Sequence, residues 1–145
     1  MPTARRSRTI GAAPERVWDT VGDPHHLPRW WPRVQRVEGV RRDRFTEVLG
    51  TKSGRAMRAD FRVVESRAPT RRVWEQELEG TPFERVFAAS RTEVALEPDA
   101  AGTLVTIVVR LRLRGPGRFG GWVVRRATGR VLDEALQALE ALHGP

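Results

Sequence analysis

Few side chains in this 145-residue chain are of a type that does acid–base, metal or anion chemistry, and each is judged by its neighbours. His25 and His26 sit beside Asp23, where a near-neutral imidazole would serve as a general base or metal ligand. Adjacent residues point apart, however, and no third ligand is spaced to help, so an exposed turn fits them better. His143, at the end of the chain's last helical pattern, is expected to interact with the helix C-terminus. Glu75, Glu77 and Glu79 alternate along one strand face. As catalytic carboxylates they would need burial and a second acid across a site, whereas pairing with Arg on neighbouring strands needs only a solvated face. Glu47 and Asp60 stay open, because segment 44–50 has no clean alternation. Arg125 falls at the edge of a helical apolar arc. There it either snorkels to the surface, the favoured reading, or presents a guanidinium to a ligand carboxylate, phosphate or enolate oxygen.

Arg110, Arg112 and Arg114 recur at period two and form a basic ridge. If the turn at 98–102 pairs Leu96 with Val105, Arg91 faces Arg110, a like-charge contact that costs stability unless a carboxylate or anion separates the two. Arg5, Arg6 and Arg8 are expected to adjoin the ridge. A nucleic acid or an anionic membrane is one partner such a footprint fits. No aromatic interleaves it to stack bases, and Glu75, Glu77 and Glu93 neutralise part of it, so a solvated face is the favoured reading.

Several chemistries are excluded outright. There is no Cys, hence no disulfide framework, thiol catalysis or Cys-ligated zinc. No Gly-x-Ser-x-Gly, P-loop or Gly-x-Gly-x-x-Gly occurs. Without three clustered His, a His-Glu-x-x-His or a carboxylate cluster, neither a metal nor a cofactor is expected. Tyr is absent.

The elements that must position these groups follow from periodicity. Residues 3–10 read as a short strand. Pro14 suits a first helical position and Glu15 a helix N-terminus; Val17 and Val21 lie one turn apart, and Gly22-Asp23-Pro24 ends the segment. A second short helical or turn segment runs from His25 to Trp31. From 33 to 114 the period is two, with strands expected at 34–41, 44–50, 56–66, 71–79, 84–97 and 103–114. The short breaks between them imply an antiparallel meander. The last strand sets Val105, Ile107, Val109, Leu111 and Leu113 against Thr106, Val108, Arg110, Arg112 and Arg114, one core face and one wet face. Gly115-Pro116-Gly117 and Gly120-Gly121 read as a turn and a flexible helix entry. Residues 119–143 form one long helix whose apolar positions, from Val124 to Leu142, fill an arc of about 180° where a surface helix needs only about 100°. A curved sheet wrapped around it would embed it that deeply.

Composition bounds the rest. The length suits one domain over 1–145 that buries about 68–70% of its unfolded surface. Apolar residues make up 39% and charged residues 30%, a globular profile. No stretch is long and apolar enough to span a membrane, and residues 1–12 lack the apolar core of a secretory signal, so a cytoplasmic location is expected. Net charge is +8, and Lys52 is the only Lys among 26 basic residues. A G+C-rich coding sequence, which also favours Ala, Gly and Pro, explains that Arg excess better than a binding role does.

The motif Ile10-x-Ala12-Ala13-Pro14-x-x-Val17-Trp18-x-x-Val21-x-Asp23-Pro24, followed by Leu27-Pro28-x-Trp30-Trp31-Pro32-x-Val34, resembles the N-terminal signature of the START-like helix-grip superfamily (SRPBCC) in its polyketide cyclase/dehydrase and lipid-transport branch. Glu97-Pro98-x-x-x-Gly102-Thr103-x-Val105-Thr106 resembles that family's final hairpin. The resemblance spans about residues 3–143. It implies an α+β helix-grip fold, a seven-stranded antiparallel sheet curved around the C-terminal helix, with a cavity between them.

Alternation then nominates the lining. Met57, Ala59, Phe61 and Val63 share one face, as do Trp74, Gln76 and Leu78, and Ala88, Ser90, Thr92, Val94 and Leu96. Trp31 and the stretch Phe83 to Phe87 would close the mouth, and Ala127, Thr128, Val131 and Ala135 would leave space beneath the helix. The expected ligand is a small hydrophobic or amphipathic molecule, lipid or polyketide-like, oriented by Gln76, Thr92, Thr128 or Arg125. The expected assembly is a monomer or homodimer. A cyclase/aromatase that steers a reactive chain by shape is the alternative, ranked second because no acid–base pair stands out. RNA or ribosome association through the Arg ridge ranks third.

Overall fold

Alternating residues become strands wherever one face has a core to meet, and that rule builds most of this molecule. The computed structural model describes residues 2–115 and 120–145. Its elements are β1 (Thr3–Ile10), α1 (Pro14–Val21), a 3-10 turn (Pro24–His26), α2 (Leu27–Trp30), β2 (Val34–Glu38), β3 (Arg44–Leu49), β4 (Met57–Arg67), β5 (Arg71–Gln76), a second 3-10 turn (Pro82–Arg85), β6 (Phe87–Asp99), β7 (Gly102–Leu113) and α3 (Gly121–His143). All seven strands form one antiparallel sheet in the order β1-β7-β6-β5-β4-β3-β2. It is the expected meander, with β1 added to the free edge of β7.

Several boundaries differ from expectation for local reasons. The strand expected to reach residue 41 stops at Glu38, where Gly39 adopts a φ of 58° and turns the chain. The strand expected to reach 79 stops at Gln76, and the Thr81 N–H and hydroxyl both bond the Leu78 carbonyl to form a turn. Residues 84–86 belong to the turn before β6, not to the strand. The expected turn at Gly115-Pro116-Gly117 lies partly, and the expected helix start at 119 wholly, outside the described residues.

The junction between β1, α1 and β7 is built from the motif residues. The Thr103 hydroxyl, fully buried, donates to the Ala12 carbonyl at 2.7 Å. The Gly11 N–H donates to the Gly144 carbonyl at 2.8 Å and ties the chain's end to its start. Gly102, with φ 142°, passes so close to β1 that a Cβ there would strike the Ile10 carbonyl oxygen. His143 is not merely a partner for its own helix end, as expected. Its Nε2 meets the Thr20 hydroxyl at 2.8 Å and pins α3 to α1. Burial, with Arg16 adding repulsion and Asp19 opposing, holds the His143 pKa below the usual imidazole value.

The outer face of the sheet is an ion-pair lattice. Arg91 does face Arg110, and Glu93 lies between them, 3.1 Å from Arg91 and 3.6 Å from Arg110. Glu75 accepts from Arg91 at 3.2 Å and approaches Arg62 at 3.5 Å, and Glu77 lies 3.8 Å from Arg44. Arg6 and Arg8 do not adjoin the ridge. They pair across β7 with Ile107 and Val105, on the concave face, and reach Asp133 at 3.3 Å and Glu140 at 3.6 Å on α3.

Replacing Gly102 with Ala adds both a steric clash and an unfavourable backbone conformation. We expect Gly102→Ala to destabilise the protein by at least about 2 kcal/mol in urea unfolding. A loss below about 0.5 kcal/mol would contradict the close approach of β7 to β1.

Candidate functional site

The helix does not cover the whole concave face. Its sheet contacts are made mainly with β1 and β7, and its other main contacts are with α2 and α1. Its C-terminal half is deeply packed, with Leu132, Ala135, Leu136 and Leu139 buried. Its N-terminal half stands off the sheet: Ala127 is exposed, and Trp122 and Val123 are 63% and 50% exposed. The expected half-embedded arc therefore holds only from about residue 128 onward.

The gap so created is a cavity of about 510 Å³. The segment after α2 gives it Trp31, Pro32 and Arg33; β3 gives Glu47 and Leu49; β4 gives Ala59 and Phe61; β5 gives Trp74 and Gln76. The second 3-10 turn and β6 supply Phe83, Phe87, Ser90 and Thr92, and β7 supplies Val109 and Leu111. The helix contributes Val123, Val124, Ala127, Thr128 and Val131. An aromatic chain stiffens one wall. Trp30 meets Trp31 edge-on at 5.3 Å, Trp31 meets Trp74 at 5.9 Å, and Phe45 stacks on Phe61 at 5.2 Å.

Nine of the twelve expected site residues meet here: Trp31, Phe61, Trp74, Gln76, Phe83, Phe87, Thr92, Thr128 and Val131. Met57, Arg125 and Ala135 do not line it. Met57 is at the start of β4 and exposed, and Ala135 is fully buried in the core beneath the helix. Arg125 lies on the other flank of α3, in a groove with Thr3, Arg6 and Trp122, and is exposed. A bulge between Phe87 and Ala89 shifts the alternation, so Phe87 rather than Ala88 joins Ser90 and Thr92.

Two charged residues that sequence reasoning did not place line the cavity. Arg33 stands at the mouth with a left-handed φ of 68°, and its carbonyl accepts from Gly50. Glu47 faces inward on β3, between Val37 of β2 and Ala59 of β4. It is 3% exposed, and none of the described hydrogen bonds or ion pairs reaches its carboxyl group. Burial alone pushes its pKa up to about 8. Asp60, the other open carboxylate, is on the outer face and accepts from the Thr46 hydroxyl at 2.6 Å. The alternation of β3 is unclean because Val48, on the outer face, is also buried. It pairs with Arg36 and Arg58, whose side chains converge on Glu38 at 2.8 Å each.

The histidines form no site. His25 and Asp23 make a local exposed turn, Nδ1 to Oδ1 at 2.9 Å, and His26 bonds the Asp19 carbonyl. Among the described residues no three His, Asp or Glu come together to hold a metal ion, and no helix is long and apolar enough to cross a membrane. A second groove of about 520 Å³ lies on the outer face among Glu75, Glu79, Arg91, Arg110 and Arg114. It is lined largely by charged side chains and lacks the aromatic wall of the concave cavity.

The family described as polyketide cyclase / dehydrase and lipid transport matches residues 1–144. Among solved structures, a START superfamily protein from Mycobacterium smegmatis superposes with a TM-score of 0.77 at 14% identity, covering 97% of this chain and 96% of that one. A protein from Thermus thermophilus gives a TM-score of 0.74 at 25% identity, covering 97% and 95%. The di-domain ARO/CYC StfQ of the steffimycin biosynthetic pathway gives 0.77 at 15% identity, with 97% of this chain covering 49% of that one. No curated protein matches the chain.

The raised Glu47 pKa has a stability consequence with a definite sign. The unfolded chain ionises this carboxyl near pH 4.5 and the folded chain near 8, so the folded state binds the extra proton in between and loses stability as pH rises across that window. Glu47→Gln abolishes that dependence. We expect the variant's stability relative to the parent to climb between pH 5 and pH 8.5, by up to about 4 kcal/mol in denaturant titrations. A difference that stays flat with pH would contradict a buried neutral carboxyl.

Proposed function

The chain belongs to the polyketide cyclase / dehydrase and lipid transport family, and from that premise we propose that it binds a small hydrophobic or amphipathic molecule between the sheet and α3. The observation that carries this reading is the cavity itself: about 510 Å³, walled by Trp31, Phe61, Trp74, Phe83 and Phe87, with few polar groups. Pockets for small molecules have this size and this mixture of apolar wall and sparse polar anchors. Apolar burial would supply affinity, and Gln76, Ser90, Thr92 and Thr128, the neutral polar residues of the lining, would orient the ligand. A lipid or a polyketide-like compound fits that lining.

A cyclase-type enzyme is the second reading, favoured by one observation. Glu47 is an acid on the cavity wall, and proton transfer needs such a group. Among the described lining residues there is no second carboxylate and no histidine to act as its counterpart, so binding ranks first.

Filling the space tests the proposal. N-phenyl-1-naphthylamine is a neutral probe whose fluorescence rises in apolar surroundings. We expect it to bind the parent, and Thr128→Trp, which projects an indole into the cavity, to weaken binding by at least about tenfold at little cost in melting temperature. Equal binding by a folded Thr128→Trp variant would place the probe elsewhere and overturn the reading.

A further inference from the structure

We propose that Glu47 is the polar anchor of the cavity, donating its carboxyl O–H to the carbonyl oxygen of a flat, apolar ligand. The inference rests on the reading that the cavity holds a ligand, and it names the chemistry that ligand must offer.

The geometry isolates this carboxyl. Glu47 points into the cavity from β3, flanked along its own strand by Phe45 and Leu49 on the same face. The other charged groups on the adjoining elements are turned away or stand at the rim, except Arg72 of β5, which is buried on the concave side outside the cavity lining and donates to Ser66. On β2, Arg36 and Glu38 pair with each other on the outer face. On β4, Arg58 joins that pair and Asp60 bonds Thr46, also on the outer face. On β5, Glu75 is held by Arg62 and Arg91 across the sheet. The helical residues that line the cavity include no titratable side chain. Arg33, at the mouth, is exposed and forms no ion pair with Glu47 among the described contacts.

An isolated buried carboxylate is costly, so the group keeps its proton, as its raised pKa indicates. In that state it offers one O–H donor facing an apolar space. A ligand with an acceptor at that point satisfies the donor; one without it leaves the donor unpaired. The surrounding charge argues against a cationic ligand. Net charge is +8, and the nearest charged side chain on the lining is Arg33. The aromatic wall of Trp31, Trp74 and Phe61 favours a flat body, and Arg33 at the rim suits a polar or anionic tail.

Three naphthalenes of nearly the same shape separate the possibilities: 2-acetylnaphthalene, 2-isopropenylnaphthalene and 1-(2-naphthyl)ethylamine. Their affinities are measured by titration calorimetry for the parent, Glu47→Gln and Glu47→Leu. At about pH 6.5 the ketone is expected to bind the parent about tenfold more tightly than the alkene. At about pH 9.5, where Glu47 ionises and no longer donates, that preference should shrink to within about twofold. Glu47→Gln, whose amide still donates, should keep the preference at both pH values. Glu47→Leu should lose it while binding the alkene as well as the parent does.

Equal affinity of the parent for ketone and alkene at the lower pH overturns the anchor and leaves the cavity reading standing. Tightest binding by the amine, strengthening as pH rises, overturns it in favour of a cationic ligand. Failure of both neutral probes to bind overturns the cavity reading and the anchor with it. Should Glu47→Leu fail to fold, the parent and Glu47→Gln measurements decide the matter by themselves.

Discussion

The molecule is organised by how far one helix can cover one sheet. A straight helix of 23 residues cannot follow a seven-stranded twisted surface, so it must choose where to pack. It packs on β1 and β7. The Arg6 side chain lies over Gly129, where the missing Cβ leaves room for its guanidinium. Arg6 and Arg8 then grip Asp133 and Glu140, and Thr20 and Gly11 hold the C-terminal end. With that end fixed, the N-terminal half stands away from β3 to β6, and the space left behind is the cavity.

The same constraint divides the charges. The concave face had to supply apolar surface to the helix and the cavity, so among the described strand residues every Arg except Arg6, Arg8 and Arg72 is turned to the convex face. There Glu65, Glu75 and Glu93 interleave with Arg62, Arg67, Arg71, Arg91 and Arg110. Single exposed pairs contribute about 0–1 kcal/mol each, so the lattice serves mainly to let like charges stand on adjacent strands. Among the described residues, two charged groups stay on the inner side and are buried. Arg72, whose pKa is lowered by burial against the opposing pull of Asp23, donates to Ser66 near the α1 end. Glu47 lies at the cavity. The first is bonded by its neighbour Ser66, and the second faces the cavity.

Much of this was legible in the sequence, and the exceptions share a cause. The β2-to-β7 meander, the first short helix and the Arg91–Arg110 contact follow from alternation and turn chemistry, which are local, whereas the gathering of the sheet around α3 and the cavity beneath it were implied by the family resemblance. Ala135 was nominated for the cavity because a helical wheel gives the angle of a residue but not which part of the helix meets the sheet, whereas Arg125 is exposed, as the favoured snorkelling reading has it. Arg6 and Arg8 were set on the wrong face, although the register of β1 against β7 turns them to the helix. Glu47 was hidden because Val48 beside it is buried too, under the Arg36–Glu38–Arg58 cluster, and two consecutive buried residues erase a period of two. Bulges at Val63/Glu65 and Phe87/Ala89 likewise shift the phase in ways no local pattern announces.

The account stands on a ligand lying between the standing-off half of α3 and the sheet. Methyl-labelled protein saturated with 2-acetylnaphthalene tests it directly, through nuclear Overhauser effects between the probe's ring protons and assigned methyl groups. The account predicts contacts to Val109, Leu111 and Val131, which line the cavity from opposite sides. Contacts confined to exposed methyls such as those of Val64, Val86 or Leu142, with none to these three, would contradict it.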